Sequence, residues 1–160
     1  MYKYFLAFPL IIAALAPSVA CADKAAVPPT ALTLKFEKAL NKVDKKVETL
    51  LGADKQKVMR QSAEAAVLSD YCAAINLDQN KFKEAFSALS EDGAKRTAAE
   101  QRDMDNKVSM YFGVYVGLLV AEGTDRRGEF CVIAEDALKE QKPISRFWIA
   151  TDNKPNTPKP

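Results

Sequence analysis

The chain contains no histidine, and that absence alone removes imidazole metal sites, Ser-His-Asp triads and Cys-His nucleophile pairs. Glycine is scarce, six in 160 residues, and never takes the Walker or Rossmann spacing that cradles phosphates. The three cysteines include no Cys-x-x-Cys pair that would depress a thiol pKa. Charge of either sign is not in excess. With Lys3 as the only charged residue among the first 22, the rest of the chain holds 22 basic against 21 acidic side chains. A nucleic-acid binder needs a concentrated basic surface to displace counterions, so nucleic acid is not an expected partner. Anionic membrane surfaces would not attract such a chain strongly either.

Carboxylates are present without a convincing catalytic arrangement. Glu100, Asp103 and Asp105 lie beside Arg102 and Lys107, a pattern that reads as a solvated helix face and not as a glycosidase pair. Glu129, Glu135 and Asp136 read the same way. Asn76, Asp78 and Asn80 open like a calcium loop, but Lys81 stands where glycine is needed and Ser87 where a closing glutamate belongs. No metal, cofactor or catalytic residue is expected.

What is present at the N-terminus is a targeting signal: Lys3, an apolar stretch from Tyr4 to Ala16, then small residues to Ala22. Ala20-Cys21-Ala22 favours cleavage before Asp23, giving a signal peptide over 1–22 and a periplasmic or secreted protein. Cleavage before Cys21 and lipid anchoring through it is the alternative; Ser18 stands where lipoprotein signals usually carry leucine. Loss of Cys21 leaves Cys72 and Cys131, an even pair in an oxidising compartment, and a disulfide between them is predicted.

After a linker over 23–29, the apolar spacing predicts an all-α domain over 30–150 with about five helices. Phe36, Leu40, Val43, Val47 and Leu50 mark one face of a first helix capped by Thr30 and stopped by Gly52. Asp54 opens a second, running to about Ile75. Asp78 or Asn80 caps a third, with Phe82, Phe86 and Leu89 inward. Thr97 and Glu100 form a capping box for a fourth, continuing to Glu122. A fifth runs from about Glu129 to Gln141. Residues 144–150 are expected as a short extended segment, and 151–160, rich in proline, as a tail.

The fourth helix organises this reading. Met110 to Ala121 is apolar on every side yet far short of the ~20 residues needed to cross a bilayer. A helix with no polar stripe has to be surrounded, so it is expected as the central helix of the bundle. Gly113, Gly117 and Ala121 form a ridge of small residues along it, expected to pack against Ser62, Ala66, Ser69 and Ala73, with oligomerisation as the other use of such a ridge. Arg126, Arg127, Phe147 and Trp148 are candidates for partner contact, because arginine and tryptophan concentrate binding energy. Burial of the aromatics in the core is the competing reading.

These features point to a non-enzymatic exported protein acting through contacts with protein partners in the cell envelope, for example as an accessory of an envelope or secretion assembly. A homodimer is one such contact. A periplasmic stress chaperone or inhibitor is the alternative, and a hydrolase of envelope polymers a third.

Overall fold

The structure, a computed structural model, describes residues 35–91 and 95–151. The expected signal peptide over 1–22, the expected linker over 23–29, the expected Thr30 cap and all but Thr151 of the tail expected over 151–160 lie outside the described residues. Among the described residues the domain is all-α, with five helices, one short two-stranded sheet and one disulfide. The elements are α1 (Glu37–Leu51), α2 (Ala53–Tyr71), β1 (Ile75–Leu77), α3 (Gln79–Ser90), α4 (Ala98–Gly123), α5 (Arg127–Lys139) and β2 (Trp148–Ala150), with a 3-10 turn over Pro143–Phe147 before β2.

Local chemistry explains most boundaries. Helix α1 begins at Glu37, later than expected, because residues 35 and 36 form a turn and Phe36 occupies the cap position. Gly52 separates α1 from α2 at φ +84°, a left-handed backbone that favours glycine, and its N–H donates to the Glu48 carbonyl at 2.8 Å. Asp54 is therefore not the cap of α2 but sits in its first turn. The Asp78 carboxylate accepts from the N–H groups of Asn80 and Lys81 and starts α3. Thr97 and Glu100 close a reciprocal capping box on α4. At the end of α5, Lys142 N–H donates to Ala137 O and Gln141 N–H to Leu138 O, a Schellman closure with Gln141 at φ 52°.

The second helix stops at Tyr71, four residues before Ile75, because Ile75 belongs to β1. Strand β1 pairs antiparallel with β2, Ile75 opposite Ala150 and Leu77 opposite Trp148. Ile144 to Phe147 form the 3-10 turn, so only Trp148 to Ala150 of the expected extended segment are strand. Thr151 is anchored too, its N–H donating to Ala74 O at 2.9 Å and its hydroxyl to Ala73 O at 2.5 Å.

The most completely enclosed helix is α2. It contacts α1, α3, α4, α5, β1 and the 3-10 turn, and Met59, Ser62, Ala63, Ala65, Val67, Leu68, Ser69 and Tyr71 are all buried along it. Its alanines and serines let neighbours close in along most of its surface, and the Ser62 and Ser69 hydroxyls are satisfied by the Val58 and Ala66 carbonyls at 2.8 Å. By contrast, α4 is not enclosed all round. Its core stripe is Val108, Tyr115, Leu119, Glu122 and Gly123; α1, α2 and α3 pack on it; and one face stays open.

Candidate functional site

That open face is the ridge. Met110, Gly113, Val114, Gly117, Val120 and Ala121 are spaced by ones and threes, fall on one side of α4, and are all exposed. Met110 is 54% exposed, and Val114 and Val120 are 40% exposed. A Cβ added at Gly113 or Gly117 would meet nothing within 4 Å. The expected packing of Gly113, Gly117 and Ala121 against the small residues of α2 therefore does not occur. Helix α2 meets α4 on its other side, where Gln56 reaches Tyr115 and the Tyr71 hydroxyl donates to Val120 O at 3.2 Å. Size is the reason: the bulky Tyr115 and Leu119 bury far more area than glycine can, so they take the core side.

Among the described glycines, the one that does meet its neighbours closely is Gly123. A Cβ there would lie 2.2 Å from Phe130 Cε2 and 2.5 Å from Tyr71 Cε2. Its only mark in the sequence is its place between an apolar run and an arginine pair. Glycine inside a helix costs about 1 kcal/mol relative to alanine, and at Gly113 and Gly117 no contact within the described chain offsets that cost.

Of the other candidates, Phe147 and Trp148 are core residues, 1% and 5% exposed. The Trp148 indole N–H donates to Ala65 O at 3.0 Å, which holds the ring in the interior and closes it to a partner. Arg126 donates to the buried Glu122 at 2.5 Å and to Glu129 at 2.7 Å, and Glu122 also accepts from Phe36 N–H at 3.1 Å. This cluster ties the start of α1 to the α4–α5 junction. Arg127 is exposed, with its guanidinium carbon 4.8 Å from the centre of the Tyr71 ring. Cys72 and Cys131 are bonded, as predicted, and 1% exposed.

A second polar cluster was not anticipated. Asp44 of α1 accepts from Tyr115 Oη at 2.6 Å, from Gln56 at 2.6 Å and from Arg60 at 2.6 Å, and Arg60 continues to Glu64 at 3.1 Å. It joins α1, α2 and α4. Burial and the hydrogen bond to Asp44 raise the Tyr115 pKa well above the ordinary tyrosine value, so the phenol stays protonated and acts as a donor. In the sequence these five residues look like three ordinary surface charges, one surface amide and one core aromatic, since only folding brings α1, α2 and α4 together. At the N-terminal end of α4, a shallow depression is lined by Lys95, Arg96, Ala99, Glu100, Asp103 and Met104. Its mixed charges select neither an anion nor a cation.

Comparison of the chain with protein-family models, curated proteins and solved structures finds no match. Function therefore has to be argued from the surface itself. Among the described residues no group of three or more His, Cys, Asp or Glu side chains could hold a metal ion, and no helix is long and apolar enough to cross a membrane.

Acid sensitivity follows from the caps and ion pairs. Backbone N–H donors, that of Lys81 foremost, hold Asp78 below its ordinary pKa; the Thr97 N–H does so for Glu100, and the Arg126 hydrogen bond for Glu129. Each contributes stability present above its unfolded value, near 4 on ordinary carboxylate scales, and lost as pH falls through the depressed folded value. Burial raises Glu64 instead, against the opposing pull of Arg60, so its contribution is present at low pH and lost as pH rises. Three depressed groups against one raised group predict a falling unfolding midpoint below about pH 4. Calorimetry from neutral to acid pH checks this, and a midpoint that climbs on acidification would contradict it.

Proposed function

We propose that this protein is an exported, non-enzymatic helical domain that works through protein contacts made by the open face of α4, as an accessory of an envelope or secretion assembly. One observation carries the reading: an apolar face from Met110 to Ala121 that no part of the described chain covers. A helix without a polar stripe is stable when surrounded, and here three neighbouring helices leave one side for something else. The N-terminal signal pattern and the Cys72–Cys131 bond support an oxidising destination. The two polar clusters support a non-catalytic role, since their members donate to and accept from one another.

A stress chaperone would also expose apolar surface, but it must take many clients. A ridge with glycine at Gly113 and Gly117 instead suits a single, closely approaching backbone. The test is a photo-crosslinking residue placed at Val114, with Lys57, an exposed position on α2, as control. In cells, discrete crosslinked bands are expected from position 114 and none from position 57. Absence of any band at Val114, or a smear indistinguishable from the control, would end the proposal.

A further inference from the structure

We propose that the outward side of α1 is a basic surface that docks the protein on an anionic lipid membrane. The proposal rests on the exported reading above for the presence of such a membrane, and it is independent of the open face of α4. The observation is a sorting of charge. Lys38, Lys42 and Lys45, spaced by four and three, fall on one side of α1 with Lys46 beside them, and all four are exposed. Leu40 and Val47, on the opposite side, are buried. The acidic residues of the helix lie on a flank turned toward α2. Asp44 accepts from Arg60 and Gln56 of α2, and Glu37 is within electrostatic reach of Glu64 on the same helix. Glu48 follows Asp44 by one turn on that flank.

This arrangement is costly to the isolated domain. Lys42 stands four residues from both Lys38 and Lys46 and three from Lys45, so the lysines repel one another along the helix surface. Among the described residues none of the four is in an ion pair. A layer of negative charge outside the protein relieves that repulsion. The near-even charge of the whole chain does not cancel it, because at 0.15 M salt exposed charges more than about 8 Å apart are largely screened. The residue types select the partner. Lysine is a compact, hydrated point charge without the planar fork of arginine, so it suits a diffuse negative field better than a single bidentate anion. The outward side, Lys38, Asn41, Lys42, Lys45, Lys46 and Thr49, holds no aromatic ring on which a nucleobase would stack. It holds no apolar side chain to enter the bilayer either, so the contact is electrostatic. The row from Lys38 to Lys46 is straight and roughly 12 Å long. It presents its ammonium groups together to a flat surface, and lipid headgroups diffuse to meet them, whereas an acidic protein would need carboxylates fixed at matching positions.

Co-sedimentation of the exported, disulfide-bonded protein with phosphatidylcholine vesicles, with and without about one-third phosphatidylglycerol at about 0.05 M salt, tests the proposal. Each lysine near an anionic surface contributes about fivefold in binding, the equivalent of about 1 kcal/mol, so binding at roughly millimolar lipid is expected with phosphatidylglycerol only. Lys38→Gln, Lys42→Gln and Lys45→Gln together should weaken it about a hundredfold, with no fall in the unfolding midpoint, because repulsion within α1 is relieved. Arginine at the same three positions should keep it. Lys83→Gln, Lys107→Gln and Lys139→Gln, a matched loss of charge from exposed positions on α3, α4 and α5, should weaken it by no more than about threefold, and salt raised to about 0.3 M should release the protein. No binding to the phosphatidylglycerol vesicles, equal binding to the neutral ones, or equal loss in the two glutamine triples would overturn the proposal. Retention on polyglutamate without binding to vesicles would overturn it in favour of an acidic protein partner. The crosslink at Val114 is read separately, so failure on vesicles and failure of the α4 contact are distinguishable.

Discussion

Replacing Cys72 and Cys131 together with alanine is expected to lower stability by about 4 kcal/mol, the chain-entropy value for a closed loop of this size, and the unfolding midpoint by roughly 15 °C for a domain of this length. The bond spans 59 residues, with a Cα separation of 5.3 Å. It fastens the residue that ends α2 to the early part of α5, so the loop it closes contains β1, α3 and α4. The unfolded chain without it gains most of its freedom in that stretch, including the open ridge. Alanine suits the test because both positions are 1% exposed and the small apolar side chain adds no buried polar atom. The same burial predicts that the native protein resists alkylation of these cysteines until it is unfolded. Thermal melts of the double variant beside the parent check the magnitude, and a change of no more than about 2 °C would show that the loop is already restrained by packing.

Gly123→Ala should be the most damaging alanine substitution at a glycine of α4, at a cost of about 1–3 kcal/mol and a fall of several degrees in midpoint. Helix propensity alone predicts the opposite sign, a gain of about 1 kcal/mol. Sterics win because the new methyl would stand 2.2 and 2.6 Å from two carbons of Phe130 and 2.5 Å from one of Tyr71. Neither ring moves freely. Phe130 is 6% exposed and Tyr71 is 3% exposed, they pack with centroids 6.2 Å apart, and the Tyr71 hydroxyl is bonded to Val120 O. Gly117→Ala, by contrast, meets nothing, so propensity decides there and the monomer should gain about 1 kcal/mol. The pair of opposite signs, six residues apart on one helix, is read by chemical denaturation at a concentration low enough to keep the protein monomeric. If both variants shift the same way, the distinction between a packed and an open glycine in α4 is wrong.

These glycines show where a linear reading loses the structure. Small residues at every fourth position reveal that a helix presents a narrow ridge, but not which neighbour fills it. That choice is made by volume. Once Tyr115 and Leu119 claim the core, Gly113 and Gly117, on the far side of the same helix, must face outward. The same competition placed α2 at the centre of the bundle. Its serines and alanines are unremarkable to a hydrophobicity scale, yet their small size lets six other elements close around it. The Asp44, Arg60 and Tyr115 cluster was invisible for a related reason, since its members come from three helices and no local pattern links them.

By itself the sequence determined what depends on neighbours along the chain: the all-α class from apolar spacing, the Asp78 and Thr97 caps, the Gly52 stop, and the pairing of Cys72 with Cys131 once Cys21 was assigned to the signal. Tertiary structure alone decided which side of each helix wins the core, and therefore that Phe147 and Trp148 are sealed inside while the ridge of α4 is left bare. Periodicity reports that a face exists. Only the sum of side-chain volumes across all packed elements determines whether that face is covered.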